Sequence, residues 1–244
     1  ADGVHASFIQ GFFDNNFTFD GDIDTIVHSH VFEHVYYPDE FVSLLANFLK
    51  EGQKLIFSLP NMEEMLARKY TNCLNFEHTI FITEPYVDHL LSKHGFRKVE
   101  KKFFLDDHSI FYSYVKDEDT QIIDLPEDLY KNNKRLYLDY VTYHQELIQD
   151  LNAKIFHTDP EQPIYLFGAH IFALYLIGSG LNTDRIVCLL DNDQNKHGKR
   201  LYGTNLQVES PRILKDLESP VVILKAGVYN SEIRDDIQKN INQK

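Results

Sequence analysis

The densest chemistry in the chain falls within seven residues, His28-Ser29-His30-Val31-Phe32-Glu33-His34, which hold three imidazoles and one carboxylate. Imidazole titrates near neutral pH and is the commonest zinc ligand, so such a run can move protons or hold a metal ion. Glu33 and His34 have a plainer reading too, as turn residues that hydrogen-bond the backbone groups exposed where a strand gives way to a helix. A second constellation is Asn75-Phe76-Glu77-His78. A carboxylate beside an imidazole raises its basicity and fixes its tautomer, which makes His78 a candidate proton acceptor. A surface pair with no catalytic role is the alternative, since structural ion pairs perturb titration as well.

Two weaker signals lie near the carboxy terminus. Lys225-Ala226-Gly227-Val228-Tyr229 puts a cation, a flexible backbone and an aromatic ring ahead of a helix amino end, where an anionic substrate could rest. Gly168 follows one apolar run and Asp191 closes the next, the places of a nucleotide-binding turn and its ribose-binding acid. Gly168 lacks the other two glycines of GxGxxG, which favours a scaffold role for that turn.

The elements that must position these residues read as alternating strands and helices. Val4 to Ile9 and Ile23 to His28 are β-like runs, the first followed by Gly11, Phe12, Phe13 and a polar turn. Pro38, Asp39 and Glu40 open a helix whose Phe41, Leu44, Leu45, Phe48 and Leu49 repeat at three and four, and Gly52 ends it. Lys54 to Leu59 is a buried-type strand ending at Pro60, so strand, helix and strand form a parallel unit with both strand ends on one rim. A helix from about Glu84 to His94 stops at Gly95, and Phe96 to Leu105 with Ser109 to Val115 reads as an antiparallel pair. Leu129, Leu136, Tyr140, Tyr143, Leu147 and Leu151 share one face of a long helix, read as a connector. Alternation then restarts: strand Ile164 to Phe167, helix His170 to Ile177, strands Ile186 to Leu190 and Val221 to Leu224, and a terminal helix from about Ser231.

Composition narrows the function classes. Hydrophobic residues make up 43% and charged residues 25% of the 244, ordinary for a globular chain. A net charge of −13 without a basic stripe argues against nucleic acid or an anionic membrane as partner and leaves a small-molecule substrate. Cys73 and Cys188 stand far apart without metal spacing, which fits a reducing cytoplasm. No apolar run reaches membrane-spanning length, and the opening residues lack a signal-peptide pattern.

The stretch Asp24 to Val35, the Pro38 helix, Glu51-Gly52 and Leu55-Ile56-Phe57-Ser58-Leu59-Pro60 together resemble the fourth and fifth strands of class I S-adenosylmethionine methyltransferases. The resemblance implies an α/β fold: a partial Rossmann-type methyltransferase sheet ending in an antiparallel strand pair, plus a second small Rossmann-like domain. Residues 1–120 would be the rear part of the catalytic domain, 121–156 the connector and 157–244 the substrate-binding module. It also implies that His28, Ser29 and His30 lie beside the methionine part of the cofactor, and Gly11, Phe12 and Phe13 near the adenine.

Phe76-Glu77-His78, with Phe81, Thr83 and a helix ending Lys93-His94-Gly95-Phe96, looks like the catalytic segment of sugar C-methyltransferases. By that likeness His78, oriented by Glu77, is the base, His30 or His34 the reserve, and Phe76 a substrate contact, although members more often carry tyrosine there. Phe167-Gly168-Ala169, Leu190-Asp191-Asn192-Asp193 with Lys196, Gly198-Lys199, Gly203-Thr204 and Tyr229 are similar to the same family's terminal module, where Lys225, Gly227 and Tyr229 would meet substrate. The implied reaction is methyl transfer, to carbon or oxygen, on a nucleotide-linked sugar or other surface-polysaccharide precursor. The family's glycine-rich turn and ribose-binding acid do not precede Val4, so the resemblance implies weak or lost S-adenosylmethionine binding by a truncated chain.

This reading assigns no metal. Two alternatives stand beside it. His28, His30, Glu33 and His34 are similar to the HxHxDH zinc motif of the metallo-β-lactamase fold, with one additional residue before the acid, which would make the chain a metal-dependent hydrolase. The other alternative is a non-catalytic module that binds an activated sugar.

Overall fold

The computed structural model describes residues 6–74, 77–105 and 108–243. It divides into two compact units, one made of Ala1–Asn61 with His78–Pro126, the other of Met62–Glu77 with Glu127–Lys244.

In the first unit the elements are β1 (Thr25–Ser29), α1 (Pro38–Phe48) and β2 (Lys54–Pro60); α2 (Met62–Ala67) follows in the chain but belongs to the second unit. The first unit resumes with α3 (Glu84–Lys93), β3 (Phe96–Phe104) and β4 (Ser109–Lys116). Its sheet has the order β1-β2-β4-β3. β1 and β2 are parallel, while β4 runs antiparallel to both β2 and β3, so the expected antiparallel pair is present with its second strand inserted against β2. α1 forms because Pro38 sets the first turn, Asp39 and Glu40 complement the amino end, and Val42 and Leu45 face the sheet. Phe32, Phe57, Leu91, Phe96, Tyr112 and Tyr114 join them in one core. β3, whose outer edge pairs with no described strand, is largely exposed and carries Lys98, Lys101 and Lys102, charges that discourage further pairing.

The strand expected over Val4 to Ile9 is absent from its described part. Val4 and His5 lie outside the described residues, and residues 6–9 are irregular and exposed, with Phe8 almost fully in solvent. A strand needs a neighbour for its backbone N–H and C=O groups, and no described segment pairs with this one.

The second unit continues with α4 (Leu129–His157), β5 (Ile164–Phe167), α5 (Ile171–Gly178), β6 (Ile186–Leu190), β7 (Val208–Glu209), β8 (Val221–Leu224) and α6 (Asn230–Asp236). Its sheet is wholly parallel, ordered β7-β6-β5-β8. α4 belongs to this unit and is more than a connector: Ile148 and Ile155 enter the core against Ile164, Leu166 and Leu189, and Tyr140 is sealed among Met62, Met65, Leu66 and Cys73. The Tyr140 hydroxyl donates to the Tyr70 carbonyl at 2.9 Å, which ties the segment after α2 to α4. Cys73 and Cys188 are both buried and unpaired. No helix of the described residues is long and apolar enough to cross a membrane.

Candidate functional site

The parallel pairing of β1 with β2 brings the carboxyl ends of both strands to one rim, the usual ligand-binding edge of an open α/β sheet. At that rim the Ser29 and Ser58 hydroxyls are 2.7 Å apart, and the His30 N–H donates to the Ser58 carbonyl at 3.1 Å. His30 itself has a left-handed backbone (φ 50°), uncommon for a residue with a side chain and concentrated at functional turns. The chain then makes one 3-10 turn, Phe32–His34. Phe32 enters the core between Phe41 and Phe57, with ring centroids 5.7 and 6.0 Å away, and this anchoring draws Glu33 inward until it is only 2% exposed.

Glu33 is held from several directions. The imidazole Nδ1 of His30 donates to its Oε1 at 3.0 Å. Its own carbonyl accepts the N–H groups of Thr79 (2.9 Å) and Ile80 (3.3 Å) and the Thr79 hydroxyl (3.2 Å), and that hydroxyl also reaches the Val35 carbonyl at 2.8 Å. These bonds staple residues 79–80 onto the 3-10 turn and carry His78 to His34, with ring centroids 5.1 Å apart at 75°. The result is a cluster of Glu33, His34 and His78, whose ligand atoms all lie within 4.8 Å of one another. Burial works to raise the Glu33 carboxyl. The His30 hydrogen bond, a backbone N–H and the charges of His30 and His78 outweigh it and hold the group below the usual carboxylate range.

The sequence pointed to His30, His34 and His78, and the structure gathers all three at this rim. It adds Glu33, which the sequence placed only in a turn or a zinc motif. His28 stays apart: its ring stacks on Phe57 at 5.1 Å and meets Phe41 edge-on at 5.7 Å, and burial lowers its pKa to about 4. The metal set expected from the HxHxDH likeness is therefore rearranged, with His28 turned into the core and His78 brought in from far along the chain.

Of the expected cofactor contacts, His30 has its side chain 42% exposed at the rim, whereas Ser29 is engaged by Ser58 and His28 by the aromatic stack. Gly11 and Phe12 are exposed, and Phe13 packs on Phe17 and Phe48 at 5.2 and 5.3 Å. Phe76 lies outside the described residues.

In the second unit, exposed Glu77 borders a cavity of about 250 Å³ together with His170, Leu201 and Tyr202. Lys225 reaches the Tyr143 hydroxyl at 3.4 Å and lies 5.1 Å from the ring centroid, and its carbonyl accepts from Thr71 at 3.0 Å. Gly227 is left-handed (φ 57°) and closely faced by Tyr70, while Tyr229 stays partly exposed. Tyr143 and Tyr70 join this region only through tertiary packing. Asp191 is saturated: its carboxylate accepts from the N–H groups of Ala169 and Asp193 and from Lys196, each at 2.9 Å. It holds its own turn together, which is the scaffold role expected there.

Known proteins can now be set against this geometry. Residues 4–101 match the family model of the methyltransferase domain. The matched segment contains β1, α1, β2, α3 and all but the end of β3, and with them the whole Glu33, His34 and His78 cluster. No curated protein matches the chain. Solved structures that resemble it include a complex of the Haloferax volcanii Trm112 methyltransferase activator with a methyltransferase, 16% identical over 46% of this chain and 62% of that one, TM-score 0.36. Magnesium protoporphyrin IX methyltransferase from Synechocystis with bound SAH is 16% identical over 45% and 51%, TM-score 0.36. A SAM-dependent methyltransferase from Thermotoga maritima is 18% identical over 44% and 62%, TM-score 0.36. The chain spans less than two thirds of the length of each of these three.

Proposed function

We propose that the chain serves S-adenosylmethionine-dependent methyl transfer to a small-molecule acceptor, and that the rim of its first unit handles the acceptor's proton. One observation carries this reading: the segment matching the methyltransferase family model also contains the described histidine and carboxylate cluster, at the ligand-binding edge of its sheet.

The cofactor, when bound, supplies an electrophilic methyl group on a sulfonium. Its neutral thioether leaves without an acid, so the protein's work is alignment and removal of a proton from the attacking group. His78 is the acceptor of that proton, taken from a hydroxyl or from a carbon beside a carbonyl. Glu33 stabilises the imidazolium that forms, since its anionic carboxylate already acts on His78 through charge. Among the expected cofactor contacts, His30 is the one whose position fits a ligand at the rim. His28 packs on Phe57 and Phe41, exposed Ser29 shares its hydroxyl with Ser58, and Gly11, Phe12 and Phe13 stay proposed for the adenine side. Glu77 keeps its proposed place beside His78 in sequence, and Lys225, Gly227 and Tyr229 are proposed as substrate contacts of the second unit by itself. The acceptor class is a nucleotide-linked sugar or another surface-polysaccharide precursor, in keeping with the sugar C-methyltransferase likeness of the 76–78 segment.

The test is transfer of labelled methyl from S-adenosylmethionine to a panel of nucleotide sugars by the intact protein. Transfer that collapses in His78→Ala while cofactor affinity holds supports the assignment. Unchanged turnover in that variant would remove His78 from the mechanism.

A further inference from the structure

We propose that Glu33, His34 and His78 form a binding site for a divalent first-row transition metal of the zinc class. The inference rests on the geometry of the first unit and is independent of the methyl-transfer reading.

The spacing comes first. Zinc takes imidazole nitrogens and carboxylate oxygens at about 2.0–2.2 Å, so neighbouring atoms of a tetrahedral set lie roughly 3.3–3.6 Å apart. The three ligand atoms here lie within 4.8 Å of one another, so side-chain shifts of at most about 1 Å each close them on a common centre. Two imidazoles with one carboxylate is a mixed nitrogen and oxygen set, which favours zinc and its neighbours over calcium or magnesium, which take oxygen alone.

The second observation is Glu33 itself. The residue is 2% exposed, and its Oε2 is buried with no hydrogen-bond partner among the described residues. A buried carboxylate oxygen without a donor is costly, and the cost is relieved when a cation occupies the missing partner's place. The other oxygen is fixed by His30 at 3.0 Å, the outer hydrogen bond that orients a ligating carboxylate. The Thr79 staple fixes the approach of His78 in the same way, through the backbone.

His34 is exposed, so the site faces solvent on one side. Three protein ligands and an open position describe a reactive or regulatory metal site better than a closed structural one. An ion bound here and a proton on His78 compete for the same lone pair, so metal loading silences the base assigned above.

The experiment is titration of the chelator-stripped full chain with zinc chloride, read by competition with a chromophoric chelator and by the visible absorption of a cobalt-loaded sample. One ion per chain is expected. His34→Ala, an exposed position that leaves the core intact, should weaken binding at least about tenfold, and Glu33→Gln should do the same. His89→Ala on α3 should change nothing. Absence of binding at micromolar zinc, or stoichiometric binding untouched by both His34→Ala and Glu33→Gln, would overturn the proposal. Because no methyl donor is present, failure here leaves the methyltransferase reading standing, and failure of methyl transfer leaves the metal site standing.

Discussion

Each unit places an acid just beyond a parallel strand, and the two acids live in opposite circumstances. Asp191 follows β6, and both its oxygens are taken by donors: Asp193 on one, Ala169 and Lys196 on the other. Glu33 follows β1 by a few residues and is more deeply buried, yet among the described residues only one of its oxygens has a donor. A saturated carboxylate has spent its capacity on the fold, and its removal is a matter of stability. A buried carboxylate with an unanswered oxygen beside two imidazoles retains capacity for a ligand, a proton or an ion. The difference between scaffold and site is thus legible in the hydrogen-bond inventory of two otherwise similar turns.

The sharpest way to break the comparison is to remove the histidine that Glu33 faces. His78→Ala is expected to lower methyl-transfer turnover by about 10²–10⁴-fold, the usual contribution of a positioned base, with S-adenosylmethionine affinity nearly unchanged in calorimetry. Next in size is the pH response of His28. Burial lowers its pKa from 6.5 to about 4, so the folded state binds fewer protons than the unfolded one between those values. Stability is then full above about pH 6.5 and falls as pH drops toward 4, the sign required when the native state refuses a proton. His28→Phe preserves the stack on Phe57 and should flatten that slope in chemical denaturation measured across the window.

Smaller effects separate the two acids. Asp191→Asn sets an amide NH₂ against a donor whichever way it turns, and should cost about 1–3 kcal/mol of stability in urea denaturation. Glu33→Gln can keep its oxygen toward His30 and sets no NH₂ against a donor, so it should cost less stability than Asp191→Asn in the same measurement.

Much of the fold was legible in the sequence because it depends on local pattern. Pro38 with its acidic turn located the start of α1, and the apolar run Lys54 to Leu59 and the Gly95 stop located β2 and α3 within a residue or so, while α1 ends at Phe48 with Leu49 extended, short of the Gly52 stop expected for it. The failures have non-local causes. Val4 to Ile9 has strand-like composition, but pairing is a property of two segments, and residues 6–9 have no described partner. The face of α4 was visible, yet nothing in it said that Tyr140 would be sealed by residues 62–73. β7 has two residues, too few for any periodicity. At the site, His30, His34 and His78 stood out by type. Glu33 stood out only as a turn residue or zinc-motif member and not as the partner of His78, because that pairing follows from Phe32 entering the core and from Thr79 returning to the Glu33 carbonyl 46 residues later.

The contrast between the two acids is tested most directly by measuring the methyl-transfer rates of Glu33→Gln and Asp191→Asn side by side at a temperature where both are folded. Glu33→Gln should lose about tenfold or more of the turnover while Asp191→Asn keeps the parent rate. Equal rates for the two, or the larger loss in Asp191→Asn, would contradict the assignment of the β1 rim as the working site.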